Sequence, residues 1–154
     1  MRLASRAYGN CTWAVANIAQ RLPLSDGSCD LILSLMAPRN TDEFQRAMKE
    51  RGRLLVVIPG DRHLGQLTDH LMSEPSDQSS KPGELTQSLS SSFDLISTES
   101  IQHDFQADRD TILKIVTMTP LRWKSSRKSL ESLKQVDSMH ITAAFRVLQY
   151  AFAE

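Results

Sequence analysis

Apolar and polar positions along this chain alternate between short unbroken runs and helical stripes. Residues 29–36, "CDLILSLM", form one nearly continuous apolar run, and residues 53–60, "RLLVVIPG", form a second. Runs with no polar face predict strands buried between helices on both sides of a parallel sheet. Behind the first run, Asn40 is placed to cap a helix, and Glu43 completes a capping-box pattern. Phe44, Ala47 and Met48 give that helix an apolar face, and its end is expected near Gly52. Asp61 predicts a further cap, opening a helix through about Met72 with Leu64, Leu67 and Leu71 as its stripe.

The other segments carry weaker signals. Arg2 to Tyr8 reads as the end of a helix stopped by Gly9-Asn10. "CTWAVAN" (11–17) is a short β-prone run, and "RLPLSDGS" (21–28) is a turn-rich connection. The composition of 73–84 predicts a flexible surface connector, followed by a short helix near Leu85 to Leu89. Residues 93–105 alternate as a half-exposed strand does, and Asp108 opens a helix through Met118 that Pro120 stops. Residues 125–135 are helical and amphipathic. Residues 140–152 fit either period, with the strand preferred. Strand and helix in this rhythm predict a doubly wound α/β domain, where ligands bind outside the carboxyl ends of the strands. Ala37-Pro38-Arg39 and Pro59-Gly60-Asp61 fall at those ends, so the rigid proline and the arginine read as a binding rim.

Composition narrows the classes. A chain of 154 residues with 40% hydrophobic and 23% charged content suits one soluble domain. No apolar run is long enough to span a bilayer, and "MRLASRAYGN" has no signal-peptide core, so a cytoplasmic protein away from membranes is expected. Eighteen basic and eighteen acidic side chains cancel, so a nucleic-acid partner would need a local basic patch. "LRWKSSRK" (121–128) is the candidate, with Arg122, Lys124, Arg127 and Lys128 around Trp123. The same run also reads as an ordinary solvated helix start. Cys11 and Cys29 give neither a disulfide framework nor zinc spacing, and both are expected to be small, mostly buried apolar residues. His70, His103 and His140 have no paired ligand spacing, and no metal is expected.

"RLPLSDGSCDLILSLMAPRNTDEFQRAMKERGRLLVVIPGDRHLGQL" resembles the middle of S-adenosylmethionine-dependent methyltransferases of the Rossmann-like class I fold. "LPLSDGSCDLI" is similar to the lead-in to their fourth strand. The ordered set "APRN", "IPGDRHL" and "IVTMTPLRW" most resembles the 23S rRNA (guanine-N1)-methyltransferases, over about residues 2–150. "ELTQSLSSSFDLISTES" fits that family's linker and sixth strand.

The family carries, ahead of this region, a cysteine-rich zinc module, the Gly-rich cofactor loop after strand 1 and the acidic end of strand 2. This sequence begins after all three, so the resemblance implies that residues 1–154 are the C-terminal part of such a domain, truncated on its N-terminal side. The family's sheet order, 3-2-1-4-5-7-6, makes residues 12–17 strand 3 and residues 29–36 strand 4. Without strands 1 and 2 between them, strand 3 is left unpaired or closes on strand 4, while strands 4, 5, 7 and 6 still build a core.

The resemblance also implies a site. Asn17, Ile18, Met36, Ala37 and His63 match positions beside the cofactor, and Pro38 a position at the same strand end. Beside them Pro38, Arg39, Arg62 and Trp123 are the candidate RNA contacts, the arginines for phosphate and Trp123 for stacking. Pro38 and His63 would line a shared hollow. Methyl transfer to guanine N1 releases a proton, for which His63 and Asp61 are the candidate acceptors. Bland readings stand beside these. Asn17 can simply end a strand, Arg39 and Arg62 can be solvated, and Asp61 can serve only its cap. The expected partner is ribosomal RNA, with a complementing chain or a homo-oligomer as a further possibility. The alternative function is a non-catalytic remnant or interaction module completed by another chain. A nucleotide-binding oxidoreductase is disfavoured, since no phosphate-cradling glycine loop is present.

Overall fold

The apolar runs become strands that hydrogen-bond into a four-stranded sheet. The computed structural model describes residues 2–72 and 87–153, with side chains from Ser5 onward. In chain order the elements are α1 (Arg2–Ala7), β1 (Cys29–Leu35), α2 (Thr41–Ala47), β2 (Met48–Pro59) and α3 (Gly65–Leu71). There follow β3 (Phe93–Asp108), α4 (Arg109–Met118), α5 (Leu121–Lys124), α6 (Arg127–Leu133) and β4 (Ser138–Phe152). The strand order is β1-β2-β4-β3, which is the side-by-side order of strands 4, 5, 7 and 6 expected from the resemblance. The expected connector at 73–84 lies outside the described residues, as do the first residues of the helix expected near Leu85; residues 87–89 are helical.

Several caps form as their residue types dictate. The Asn40 side chain accepts from the Glu43 amide at 3.3 Å, Asp108 from the Thr111 amide at 2.8 Å, and Ser126 from the Ser129 amide at 3.0 Å.

Other expectations need correction. Residues 12–17 form no strand and lie largely exposed, because no neighbouring strand among the described residues supplies partners for their amides and carbonyls. Cys11, in the same stretch, is exposed rather than buried, and Cys29 is half-buried. β1 is not covered on both faces. Leu31, Leu33 and Leu35 are 53%, 53% and 55% exposed, and only Ser34 of the strand is buried, so this edge strand has one apolar face uncovered by the described residues. The helix from Asn40 stops at Ala47, and β2 starts at Met48. Gly52 therefore lies inside a strand. A Cβ there would sit 2.4 Å from Met48 Cγ and 2.9 Å from the Lys49 carbonyl, so the strand needs glycine at this point. Finally, α3 starts at Gly65 and not at Asp61. Its N-cap is Leu64, in a left-handed conformation with no side-chain cap.

The chain divides into two compact units. The first comprises residues 1–56, 86–97 and 148–154; the second comprises residues 57–85 and 98–147. In the first, Phe44, Ala47, Met48, Leu54, Leu89 and Tyr150 are among the buried side chains, and the Phe93 and Phe152 rings stack at 5.4 Å. In the second, the core gathers Leu64, Leu67 and Leu71 of the α3 region, Ile112 and Val116 of α4, Leu133 of α6 and Ile141 of β4. No helix is long and apolar enough to cross a membrane among the described residues.

Candidate functional site

In the first unit, one arginine holds the segment that leads into β1. Arg46 of α2 places Nε 2.9 Å from Glu43 Oε1 and Nη2 2.8 Å from Glu43 Oε2. Its Nη1 donates to the Leu24 carbonyl at 2.8 Å and to Asp26 Oδ1 at 2.6 Å. The Leu22 amide donates to Glu43 Oε2 at 2.7 Å, so Glu43 is satisfied from two directions. The Arg46 guanidinium, followed by the Leu22 amide, holds the Glu43 carboxyl down at about 2.

A carboxyl lowered in the folded state stabilises it above the ordinary carboxylate range, and that contribution is lost as pH falls toward the lowered value. The melting midpoint should therefore drop between about pH 4.5 and about pH 2, and Glu43→Gln should remove that part of the slope. Parallel melting curves for the two proteins over this window would contradict the assignment.

The same clasped segment carries two of the expected cofactor residues. Asn40 Nδ2 donates to the Ile18 carbonyl at 2.9 Å, which ties half-buried Ile18 to the start of α2. Asn17 is exposed, and its side-chain oxygen accepts from the Ala19 amide at 3.0 Å, within its own turn. After β1, Met36 is 46% exposed and takes φ 49, a left-handed conformation that a methionine adopts at a cost. Ala37 is half-buried, Pro38 and Arg39 are exposed, and Arg39 Nη1 donates to the Ala37 carbonyl at 3.3 Å.

In the second unit, the turn after β2 is stitched to β4. The Gly60 amide donates to the Ala144 carbonyl at 2.9 Å, and the Leu64 amide to the Thr142 carbonyl at 2.8 Å. Gly60 packs so closely on β4 that a Cβ would lie 3.1 Å from the Phe145 nitrogen and 3.2 Å from the Ala144 carbonyl carbon. Gln66 exchanges two hydrogen bonds with Thr142, and buried Thr142 Oγ1 donates to Asp104 Oδ1 at 2.7 Å. Arg62 and Leu64 have φ 61 and 53, so His63 sits between two left-handed residues. Backbone strain of this kind persists where the surroundings over-determine it, and it collects at functional sites.

His63 is the residue that this turn positions. It is half-buried, its ring lies 4.8 Å from the Phe145 ring, and its Nδ1 is buried with no hydrogen-bond partner among the described residues. Burial lowers its pKa, against a lesser opposing effect of the Ala144 carbonyl, which favours the neutral imidazole. Asp61 does not cap α3 as the sequence suggested; it is exposed and accepts from Arg146 Nη2 at 2.7 Å. Arg62 pairs with Asp69 at 3.0 Å. Trp123, in α5, is 80% exposed, with the Arg122 guanidinium 5.1 Å from its ring centroid.

Thus Asp61, Arg62 and His63 share one turn in the second unit, whereas Asn17, Ile18, Met36, Ala37, Pro38 and Arg39 lie in the first. Phe145 and Arg146 escape a sequence reading because their link to Asp61 and His63 is made across more than eighty positions by strand pairing. Among the described residues no group of three His, Cys, Asp or Glu side chains could hold a metal.

Comparison with known proteins adds a family context. No family model matches the chain. It is 35% identical over 124 residues to the Streptomyces fradiae 23S rRNA (guanine(748)-N(1))-methyltransferase, covering 80% of this chain and 44% of that protein. It is 32% identical over 152 residues to a Micromonospora griseorubida protein provisionally named a 23S rRNA (guanine-N(1)-)-methyltransferase, covering 97% of this chain and 51% of that one. Bacillus subtilis YxjB, provisionally named in the same way, is 28% identical over 145 residues, covering 94% and 51%. The chain therefore spans about half the length of these relatives. Two solved structures share the fold at TM-score 0.52. One is a Bacillus halodurans protein provisionally described as a methyltransferase, at 10% identity and covering 96% of this chain and 75% of that one. The other is the MccD protein, at 15% identity and covering 99% and 73%.

Proposed function

From a chain related in sequence to 23S rRNA (guanine-N1)-methyltransferases and carrying four strands of a class I methyltransferase sheet, we propose the C-terminal part of an enzyme that methylates guanine N1 of large-subunit rRNA. The observation that carries this reading is His63, an imidazole favoured in its neutral form with a buried, unpartnered Nδ1, locked between left-handed Arg62 and Leu64 at a strand tip. An orphaned buried nitrogen costs stability unless a ligand satisfies it, so the fit to a polar cofactor or base rests on that atom.

S-adenosylmethionine, when bound, supplies a methyl carbon on a sulfonium. The chain's own residues position and exclude. Met36 and Ala37 would lie beside the methyl group, where the small Ala37 permits close approach, and Ile18 and Asn17 would hold the adenine. Pro38, Arg39, Arg62 and Trp123 meet the RNA. Methylation at guanine N1 would break the methyl–sulfur bond, leaving a neutral thioether, and would release the N1 proton, which His63 would accept. Asp61 is the second candidate, with its carboxylate already accepting from Arg146. Positioning and dryness supply most of the rate in such a transfer, and the base contributes about 10²–10⁴-fold.

The test mixes the 154-residue chain with the part of the Streptomyces fradiae relative that this chain does not cover, then assays methyl transfer to an rRNA transcript. Transfer is expected only in the mixture, and His63→Gln should slow it about 10²-fold or more. No transfer from a mixture that forms a stable complex would overturn the function, and an unchanged rate in His63→Gln would overturn the histidine's role.

One observation favours a second reading, a non-catalytic interaction module. The uncovered face of Leu31, Leu33 and Leu35 lies on an edge strand, which is a template for pairing with another chain. Complex formation without transfer in the same assay supports this reading.

A further inference from the structure

We propose that the helices between β3 and β4 form a docking groove for single-stranded RNA. This rests on the reading above for the kind of polymer and adds a contact surface to it. Between α4 and α6 lies a hollow of about 490 Å³ with Leu113, Val116 and Leu130 on its floor and Arg122, Arg127 and Lys134 at its rim. A second hollow of about 510 Å³ shares Leu113 and Thr117 with it and extends to Lys114 and Met118. Residues 110–134 contain six basic side chains (Lys114, Arg122, Lys124, Arg127, Lys128, Lys134) against two acidic ones (Asp110, Glu131). This stretch carries +4 in a chain whose net charge is zero. Of the six cations, only Lys134 is in an ion pair among the described residues, with Glu131 at 2.8 Å. A segregated cationic surface on a neutral protein selects an anionic partner.

The aromatic side chain decides between anionic partners. Trp123 is 80% exposed and projects beside the groove with Arg122 near its ring. An indole left in water offers a face on which a base can stack, and a guanidinium beside it meets the adjoining phosphate. An acidic peptide would use the charges and leave the ring idle. A duplex keeps its bases stacked on one another, so only an unpaired strand can deliver one to the ring. The apolar floor then takes the flat face of a neighbouring base.

The experiment measures the anisotropy of a labelled oligouridylate titrated with the full 154-residue chain at about 50 and about 200 mM salt. Binding should weaken steeply with salt. Arg122→Ser/Arg127→Ser should weaken it roughly tenfold and reduce the logarithmic salt slope by about 0.7 for each phosphate no longer neutralised. Trp123→Ala should weaken it roughly fivefold or more while the slope stays close to that of the parent. In a Trp13→Phe background, the emission of Trp123 should be quenched by the oligonucleotide. Equal affinities for parent and variants, absence of binding by the parent, or equally effective competition by polyglutamate would each overturn the proposal. No cofactor or methyl transfer enters this assay. RNA binding that persists when the complemented mixture fails to methylate therefore counts against the function proposed above and not against the groove.

Discussion

S-adenosylmethionine titrated calorimetrically into the 154-residue chain is expected to show no saturable binding tighter than about 1 mM, and adding the part of a relative that this chain does not cover is expected to bring the affinity to about 1 µM. The difference corresponds to about 4 kcal/mol. Its origin is the division of the proposed binding residues. The tips after β1 and β2 offer Met36, Ala37 and His63, of which His63 alone brings a buried side-chain atom without a partner among the described residues. Asn17 is exposed and turns its acceptor onto the Ala19 amide. Neither unit by itself offers more than a few of these residues to a ligand. Fixed backbone donors from the added part would exclude water and strengthen each polar contact. Micromolar affinity from the chain alone would show that the residues present suffice and would remove the case for a completing partner.

Leu67→Ala will cost about 2–5 kcal/mol of stability in urea denaturation, a large share of what holds a domain of this size. Leu67 is fully buried in the cluster with Leu64, Leu71, Ile112, Val116, Leu133 and Ile141, contributed by four separate elements. Its side chain is surrounded by others that are themselves fixed, so the space left by truncation cannot close cheaply. Leu67→Met keeps the volume and should cost less than about 1.5 kcal/mol. A loss below about 1 kcal/mol for the alanine variant would mean that the cluster relaxes around the gap.

The strands and their tips were legible because they depend on short-range signals, whereas the strand order came from the family resemblance. Apolar runs at 29–36 and 53–60, the caps at Asn40 and Asp108, and the alternation in 140–152 each state a local preference that packing does not oppose. The errors arise where a neighbour decides. "CTWAVAN" has strand composition, yet a strand needs a partner, and no described strand lies beside it. The run at 29–36 signals burial on both faces, but burial of Leu31, Leu33 and Leu35 requires a covering layer that the described residues do not provide. Asp61 looked like a cap, but its carboxylate accepts from Arg146, 85 positions away, and α3 begins at Gly65 behind a left-handed Leu64 that no propensity scale would choose. Met48 extends a helical stripe on paper. The segment instead becomes a strand, in which a Cβ at Gly52 would meet Met48 and the carbonyls of Lys49 and Cys29. His63 was visible as a residue at a strand tip; that its Nδ1 is buried and orphaned belongs to Phe145 and the strand beneath it, which no local reading supplies.

The stitching of residues 60–66 to β4 has a consequence for how the molecule loses order. Gly60, Leu64 and Gln66 all bond to Ala144 or Thr142, and Asp61 reaches Arg146 on the same strand. His63 is therefore anchored to a strand in the interior of the sheet order rather than to the short helix that follows it. When warming frays α3 from its end, the turn that holds His63 is expected to stay on β4 longer than the helix stays folded.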